Sequence, residues 1–168
     1  ELLTGRPRLQ PDVPTDSSDR PEVDQWGRVG VPFKLGSNNL ICYFSIMGQL
    51  HFPAYIDTGA SGAFFDRRAY DALCRVSPDY AALGLRPSRF KTIQCSNSDV
   101  QVARGDFFGR LHIGPAELVG DFTVVDNQPI PLLLGGSLLR ANYACVDYHA
   151  MKFFVPLARR SEERRVGK

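Results

Sequence analysis

Asp57 is the residue with the clearest chemical potential, because it stands in the stretch AYIDTGASGAFF, residues 54–65. An apolar run precedes this carboxylate, and a glycine-rich turn and a second apolar run follow it. A carboxylate held in such surroundings can act as a general acid or base. The ordinary alternative is a turn aspartate whose side chain accepts hydrogen bonds from its own loop. Which interpretation holds depends on whether other parts of the chain are built to position Asp57.

Metal chemistry is not indicated by the cysteines and histidines. The cysteines form no Cys-x-x-Cys pair, and the histidines do not cluster near them, so the usual ligand spacings of a zinc site are missing. The residues concerned are Cys42, Cys74, Cys95, Cys145, His51, His112 and His149. We therefore predict no metal, no cofactor, and four free thiols in a reducing, intracellular compartment, the cytoplasm.

The elements that must position Asp57 are mostly short strands. Runs rich in β-branched and aromatic residues alternate with Gly, Pro, Asn and Asp, which is typical of strands and turns. Strands are predicted over residues 39–46, 50–56, 90–95, 100–113, 118–125, 144–148 and 151–155, with a tight turn at 47–49. Many short strands with few helices predict an all-β fold, a small closed barrel.

Two helical segments interrupt the strands. Residues 66–83 place Tyr70, Leu73 and Cys74 on one helical face, and Pro78 interrupts the pattern. A second short helix is predicted over residues 137–142, with Ser137 as its N-cap.

Composition limits the domain organisation and the partners. The chain has 168 residues, 43% of them hydrophobic, which suits one globular domain. The net charge of +2 gives no reason to expect nucleic acid or a membrane surface as a partner, and no apolar run approaches the ~20 residues that span a bilayer. Residues 1–28, with four prolines, read as a flexible linker, and residues 29–157 as the domain. One back-translation of residues 160–168 resembles a common sequencing-adapter read, so we interpret them as an artefact tail.

Three stretches together resemble the retroviral-type aspartic proteases, or retropepsins. Residues 46–60 resemble the first hairpin and the catalytic loop of that family, with Asp57-Thr58-Gly59-Ala60 at its end. Leu132-Leu133-Leu134-Gly135, followed by Ser137-Leu138-Leu139, resembles the second signature, and residues 94–102 stand where the family has its flap hairpin. The resemblance covers residues 29–157 and implies a retropepsin-like barrel with a flap and one or two short helices.

The resemblance implies a proteolytic site with two carboxylates. Two carboxylates about 3 Å apart cannot both ionise, so they share a proton, and together they activate a water molecule against a peptide bond. This chain has one Asp-Thr-Gly, so the second Asp57 must come from a second copy in a symmetric homodimer.

The same resemblance assigns roles to neighbouring residues. Asp57, Thr58 and Gly59 form the catalytic loop, in which the Thr58 hydroxyl braces the pair across the two-fold axis. An extended peptide or polyprotein substrate would bind by strand-like hydrogen bonds under the flap. The predicted substrate-binding residues are Ala60, Ser61, Cys95, Ser96, Asn97, Ser98, Asp99, Leu133 and Leu134.

Three features depart from the viral pattern. Ser61 and Gly136 occupy the positions where viral members carry an ion pair that fastens the dimer, which resembles retrotransposon or cellular members instead. The flap tip Ser96-Asn97-Ser98-Asp99 has no glycine, although Asn and Asp tolerate a left-handed turn. Residues 66–90 are longer than the viral equivalent and predict an inserted helix.

We read the sequence as an aspartic endopeptidase that acts as a homodimer and processes a retroelement polyprotein. The alternative from another class is a domesticated, non-catalytic retropepsin-like module that dimerises or binds peptides, because a fold does not guarantee an activity. A third interpretation is an active cellular protease with one dedicated host substrate.

Overall fold

The computed structural model describes residues 22–36, 40–46, 50–95, 98–113 and 115–157. Within these residues the chain forms twelve strands and three helices. The strands are β1 (Glu22–Val23), β2 (Arg28–Pro32), β3 (Lys34–Leu35), β4 (Leu40–Ile46), β5 (Leu50–Asp57), β6 (Phe64–Asp66), β7 (Thr92–Gln94), β8 (Val100–Ile113), β9 (Ala116–Val125), β10 (Leu132–Gly135), β11 (Cys145–Asp147) and β12 (Lys152–Pro156). The helices are α1 (Arg67–Val76), α2 (Pro78–Leu83) and α3 (Gly136–Ala141).

The hairpin of β4 and β5 delivers Asp57 to the end of a strand. Every second residue of both strands is buried, as expected where one face of a sheet covers the core. Ile46 pairs with Leu50, and the register continues to Leu40 opposite Ile56. The tight turn predicted at residues 47–49 lies outside the described residues.

The strands form two sheets. The larger has eight strands in the order β3-β4-β5-β10-β6-β9-β8-β7, and the smaller has four in the order β1-β2-β12-β11. One additional pairing, Ser45 opposite His112, joins β4 to β8, so the larger sheet curls on itself. Full closure of a barrel stays a prediction.

Aromatic side chains fill the core between these elements. Phe65 packs edge-to-face on Phe107 and Phe122, with ring centroids 5.1 Å and 5.2 Å apart. Such edge-to-face pairs stabilise a core beyond the burial of their area. Because Phe65 lies on β6, this packing anchors the segment that follows the Asp57 loop.

The helices agree with the sequence pattern except at one cap. Asp66 caps α1 through a hydrogen bond from the Arg68 backbone N–H, and Pro78 begins α2, so the predicted interruption separates two helices. The prediction of Ser137 as an N-cap is wrong, because α3 begins one residue earlier, at Gly136, with Gly135 as the cap and no side-chain hydrogen bond. In the part of the chain that the structure describes, no helix is long and apolar enough to cross a membrane.

The predicted linker is too long at its C-terminal end. Glu22 and Val23 pair with Gly30 and Val29 in an antiparallel β1–β2 hairpin. The Asp24 carboxylate closes the turn by accepting hydrogen bonds from the backbone N–H groups of Trp26 and Arg28, at 2.9 Å and 2.8 Å. Residues 22–28 are therefore part of the fold, whereas residues 1–21 and the tail at 160–168 lie outside the described residues.

Candidate active site

Asp57 is the last residue of β5, and its side chain is exposed. Its Oδ1 accepts a hydrogen bond from the Gly59 backbone N–H at 3.0 Å, and its own carbonyl accepts one from the Ala60 N–H at 3.2 Å. The turn therefore orients the carboxylate, as the turn interpretation requires. It leaves the carboxylate open to solvent, where a substrate can reach it.

A second segment holds this loop from behind. Strand β10 runs parallel to β5, with Leu134 opposite Ile56 and Gly135 opposite Asp57. Immediately after β10, the Gly136 N–H donates a hydrogen bond to the carbonyl of Ala60 at 2.8 Å. The two stretches that resemble retropepsin signatures, more than 70 residues apart in sequence, therefore meet at the aspartate.

Glycines make this close approach possible. A Cβ atom on Gly135 would lie 1.8 Å from the carbonyl oxygen of Gly62, and one on Gly136 would lie 2.8 Å from that of Thr58. No side chain fits at such distances, so both positions require glycine. Gly135 and Gly136 are therefore positioning residues, a role that the sequence analysis did not give them although it placed Gly135 in the second signature. The available signal was the Gly135-Gly136 pair directly after an apolar strand, which indicates close backbone contact.

The rest of the catalytic loop faces outward. Thr58, Gly59 and Ser61 are exposed, and Ala60 is half-buried. In a single chain the loop therefore has a free side on which a second copy can approach. The bracing role of Thr58 and the substrate contacts of Ala60 and Ser61 stay predictions.

The two leucines predicted to contact substrate differ in position. Leu133 is half-buried and lies between Tyr55 on β5 and Phe64 on β6. Leu134 is 0% exposed and belongs to the hydrophobic core. The Leu134 side chain has no reachable surface in this conformation, and its substrate contact stays a prediction. It supports the strand beneath Asp57.

The predicted flap is a hairpin in the structure. Strands β7 and β8 pair from Thr92–Val102 to Gln94–Val100. At the tip the Cys95 N–H donates to the carbonyl of Asp99 at 2.8 Å, and the Ser98 N–H donates to the carbonyl of Cys95 at 2.9 Å. Ser98 takes the left-handed conformation, with φ of 68°, although Asn and Asp were the expected residues. Ser96 and Asn97 lie outside the described residues, and the substrate contacts of the tip stay predictions.

The base of the flap is connected to the loop between β9 and β10. Strand β8 pairs with β9 from Ala103 to Ile113, with an irregularity between Ala103 and Gly105, and the residues before Ala103 pair with β7 instead. Next to this irregularity the Arg104 side chain pairs with the Asp126 carboxylate, and this contact raises the pKa of Arg104. The Gln101 side chain also donates to the carbonyl of Asn127 at 3.5 Å. The loop that leads into β10 thus touches the flap.

Buried polar groups fix the other side of that loop. The Asp66 Oδ1 accepts a hydrogen bond from the Gln128 backbone N–H at 2.9 Å. The Gln128 side chain donates to the carbonyls of Phe64 and Ile130, at 3.1 Å and 2.9 Å. Both side chains are buried, so each of these hydrogen bonds would be costly to lose. Asp66 and Gln128 therefore position the chain just before β10.

Among the described residues no three His, Cys, Asp or Glu side chains lie close enough to hold a metal ion. The chemistry that this arrangement can support is that of an exposed carboxylate oriented by the Gly59 backbone N–H.

Comparison with known proteins identifies the fold. No family model and no curated protein match the sequence. The crystal structure of the retroviral protease-like domain of Ddi1 from Leishmania major has a TM-score of 0.54 and 16% identity, over 76% of this chain and 99% of that chain. The crystal structure of a retropepsin-like aspartic protease from Rickettsia conorii has a TM-score of 0.52 and 18% identity, over 77% of this chain and 89% of that chain.

These similarities establish a retropepsin-like fold. The predicted resemblance is confirmed at this level, and the mainly β architecture with few helices agrees with it. At such low identities the comparison concerns the fold, so the activity must be argued from the site.

Proposed function

We propose that this chain is an aspartic endopeptidase in which two copies of Asp57, one from each subunit of a homodimer, activate a water molecule. The observation that carries the proposal is the geometry of the Asp57 loop. An exposed carboxylate ends a strand, accepts the Gly59 N–H at 3.0 Å, and is held by a parallel strand on a retropepsin-like fold.

The mechanism requires the two carboxylates to differ in protonation. At about 3 Å apart they repel as two anions, so one proton is retained by the pair. The ionised member removes a proton from water, which attacks the peptide carbonyl carbon, while the protonated member donates its proton to the carbonyl oxygen. Because the described site brings no second aspartate to Asp57, the homodimer supplies it.

The substrate is an extended peptide. The flap offers the edge of β7 and an exposed tip at Ser98 and Asp99, to which a strand-like segment can add by main-chain hydrogen bonds. We further propose that the natural substrate is a retroelement polyprotein processed in the cytoplasm. The four free thiols support a reducing compartment, since an oxidising one favours disulfides.

A cleavage assay tests the activity. The full chain is incubated with a mixed peptide library at about pH 5, where a shared proton is retained by such pairs. We expect cleavage that Asp57→Asn lowers at least about 100-fold, the contribution of a positioned acid–base group. Asp79→Asn, an exposed change on α2, is the matched control and should keep full activity.

The interpretation of an assay without cleavage depends on whether the protein is folded and dimeric. Circular dichroism and sedimentation must first show that both variants are folded and form the same oligomer as the wild type. A folded wild-type dimer that cleaves nothing contradicts the enzymatic proposal and favours the non-catalytic peptide-binding module. Cleavage that survives in Asp57→Asn also contradicts it.

A further inference from the structure

An exposed aromatic groove lies on the smaller sheet. It measures about 340 Å³ and is lined by Trp26, Arg28, Tyr143 and Pro156. Trp26 is 72% exposed and Tyr143 is 78% exposed. Such exposure is unfavourable, because burying a large aromatic side chain lowers the free energy of the protein in water. An exposed aromatic patch of this kind marks an interaction site. We call these four residues the Trp26–Tyr143 groove.

The two aromatic residues are presented on ordered backbone. Trp26 stands in the β1–β2 turn, which the Asp24 carboxylate holds through two backbone N–H groups. Tyr143 has a left-handed φ of 54° and follows Asn142, whose side chain bonds to both backbone groups of Val119, at 3.0 Å and 2.9 Å. The backbone that carries both side chains is therefore ordered before any partner binds, which lowers the entropic cost of association.

The positive charge of Arg28 in the groove is already neutralised by Asp24. The Arg28 Nε donates to the Asp24 Oδ2 at 2.7 Å, and the guanidinium lies 5.8 Å from the centre of the Phe154 ring. An anionic ligand would have to compete with Asp24 for this cation. The groove is therefore suited to an apolar or aromatic partner surface.

The groove lies one short helix away from the catalytic loop. Helix α3 begins at Gly136, which donates to the carbonyl of Ala60, and it ends at Ala141, two residues before Tyr143. At 1.5 Å per residue the helix and its cap span about 10 Å. A second copy that brings its own Asp57 to this loop would therefore also come near Tyr143.

We infer that the Trp26–Tyr143 groove is the surface on which a second copy of this chain docks. The inference rests on the proposed function, because that site is incomplete without a second Asp57. Ser61 and Gly136 supply no ion pair to fasten the two copies, so the interface needs other contacts. We place the groove at the two-fold axis, where a surface meets its own counterpart. The four aromatic side chains of two copies would bury roughly 400–700 Å², a substantial part of the ~1,200–2,000 Å² of a stable interface.

Intrinsic fluorescence provides a direct test, because Trp26 is the only tryptophan in the chain. The full chain is diluted across the range in which sedimentation shows monomer and dimer. We expect the Trp26 emission to shift to shorter wavelength, and its quenching by iodide to fall, in step with the dimer fraction. Emission that stays constant while the dimer forms overturns the inference.

A variant pair gives the second arm of the test. Tyr143→Asn removes the ring, and asparagine tolerates the left-handed backbone, so the dimer dissociation constant should rise at least about tenfold. Leu83→Asn is the control, since Leu83 is 82% exposed on α2, and it should leave that constant unchanged. Equal dissociation constants for Tyr143→Asn and the wild type contradict the inference.

The remaining outcomes separate this inference from the proposed function. An active wild-type dimer whose Trp26 stays exposed contradicts the docking surface and leaves the protease proposal standing. An inactive dimer that shields Trp26 supports the docking surface and contradicts the protease proposal. Trp26 could instead be shielded in the monomer and become exposed when residues 1–21 are removed. That result would show that the chain's own N-terminal segment occupies the groove, and it would overturn the inference.

Discussion

At the scale of single residues, the candidate site depends on residues without side chains. Asp57 supplies the carboxylate, but Gly135 and Gly136 allow their backbone to approach the carbonyls of Gly62 and Thr58 closely enough to hold its loop. The Asp-Thr-Gly stretch could be recognised from the sequence because its residue types are distinctive. The glycine contacts could not, because they join positions more than 70 residues apart.

We predict that Gly135→Ala disrupts the loop. The new methyl group would lie 1.8 Å from the Gly62 carbonyl oxygen, a backbone atom that cannot move away alone. We expect a loss of about 3 kcal/mol or more in the free energy of unfolding, measured by urea denaturation. Gly59→Ala is the matched control in the same loop, because its nearest atom would lie at 3.4 Å, an ordinary contact. A loss for Gly135→Ala no larger than that for Gly59→Ala would contradict this account.

At the scale of elements, the loop from Asp126 to Pro131 connects the flap to the active-site strand. It contacts the flap through Arg104 and Gln101, and it leads directly into β10 beside Asp57. Its position is fixed from below by Asp66, which also caps α1. One buried carboxylate therefore positions a helix and this connecting loop.

The Asp66 carboxylate should consequently be important for stability. Asp66→Ala removes the cap of α1 and leaves the buried Gln128 N–H without an acceptor. We expect the free energy of unfolding to fall by about 2–4 kcal/mol, measured by urea denaturation. Asp71→Ala, exposed on the same helix, should change it by less than about 0.5 kcal/mol. Similar losses in the two variants would rule out this role for Asp66.

Individual elements show which parts of the fold the sequence could predict. The range predicted for the long strand β8, residues 100–113, agrees at both ends, because its β-branched and aromatic residues lie between clear turn residues. Strand β6 was not predicted, because it has three residues that are all buried, and a stretch this short shows no alternation. The parallel pairing of β5 with β10 was also beyond pattern analysis, since periodicity gives no partner for a strand.

At the scale of the whole molecule, the core controls the chemistry of one thiol. Cys42 is 0% exposed within the hydrophobic core, and burial raises its pKa from 9.0 to about 12. The folded state therefore keeps this proton at a pH at which the unfolded chain releases it. The resulting stability is complete below about pH 9 and is lost as the pH rises toward 12.

This linkage can be measured by comparing two proteins. The free energy of unfolding of the wild type should fall more between pH 8 and pH 10 than that of Cys42→Ala, which lacks the thiol. Urea denaturation at the two pH values gives the change in the free energy of unfolding for each protein. Subtracting the change for Cys42→Ala from that for the wild type removes the contribution of other titrating groups. Parallel pH dependence in the two proteins would show that Cys42 is not the responsible group.

The pairing of β2 with β12 has a further consequence for how such a domain can be arranged in genes. Arg28 lies opposite Pro156, the Leu157 N–H donates to the carbonyl of Gly27 at 3.3 Å, and β1 pairs with β2, so the first and last strands of the described domain belong to one sheet. A domain with adjacent ends can be inserted into a surface loop of a host protein with little disturbance of the host chain. The same arrangement permits circular permutation, in which a linker joins residue 157 to residue 22 and new ends open elsewhere on the surface. The fold is thus suited to movement between coding sequences as a single exchangeable unit.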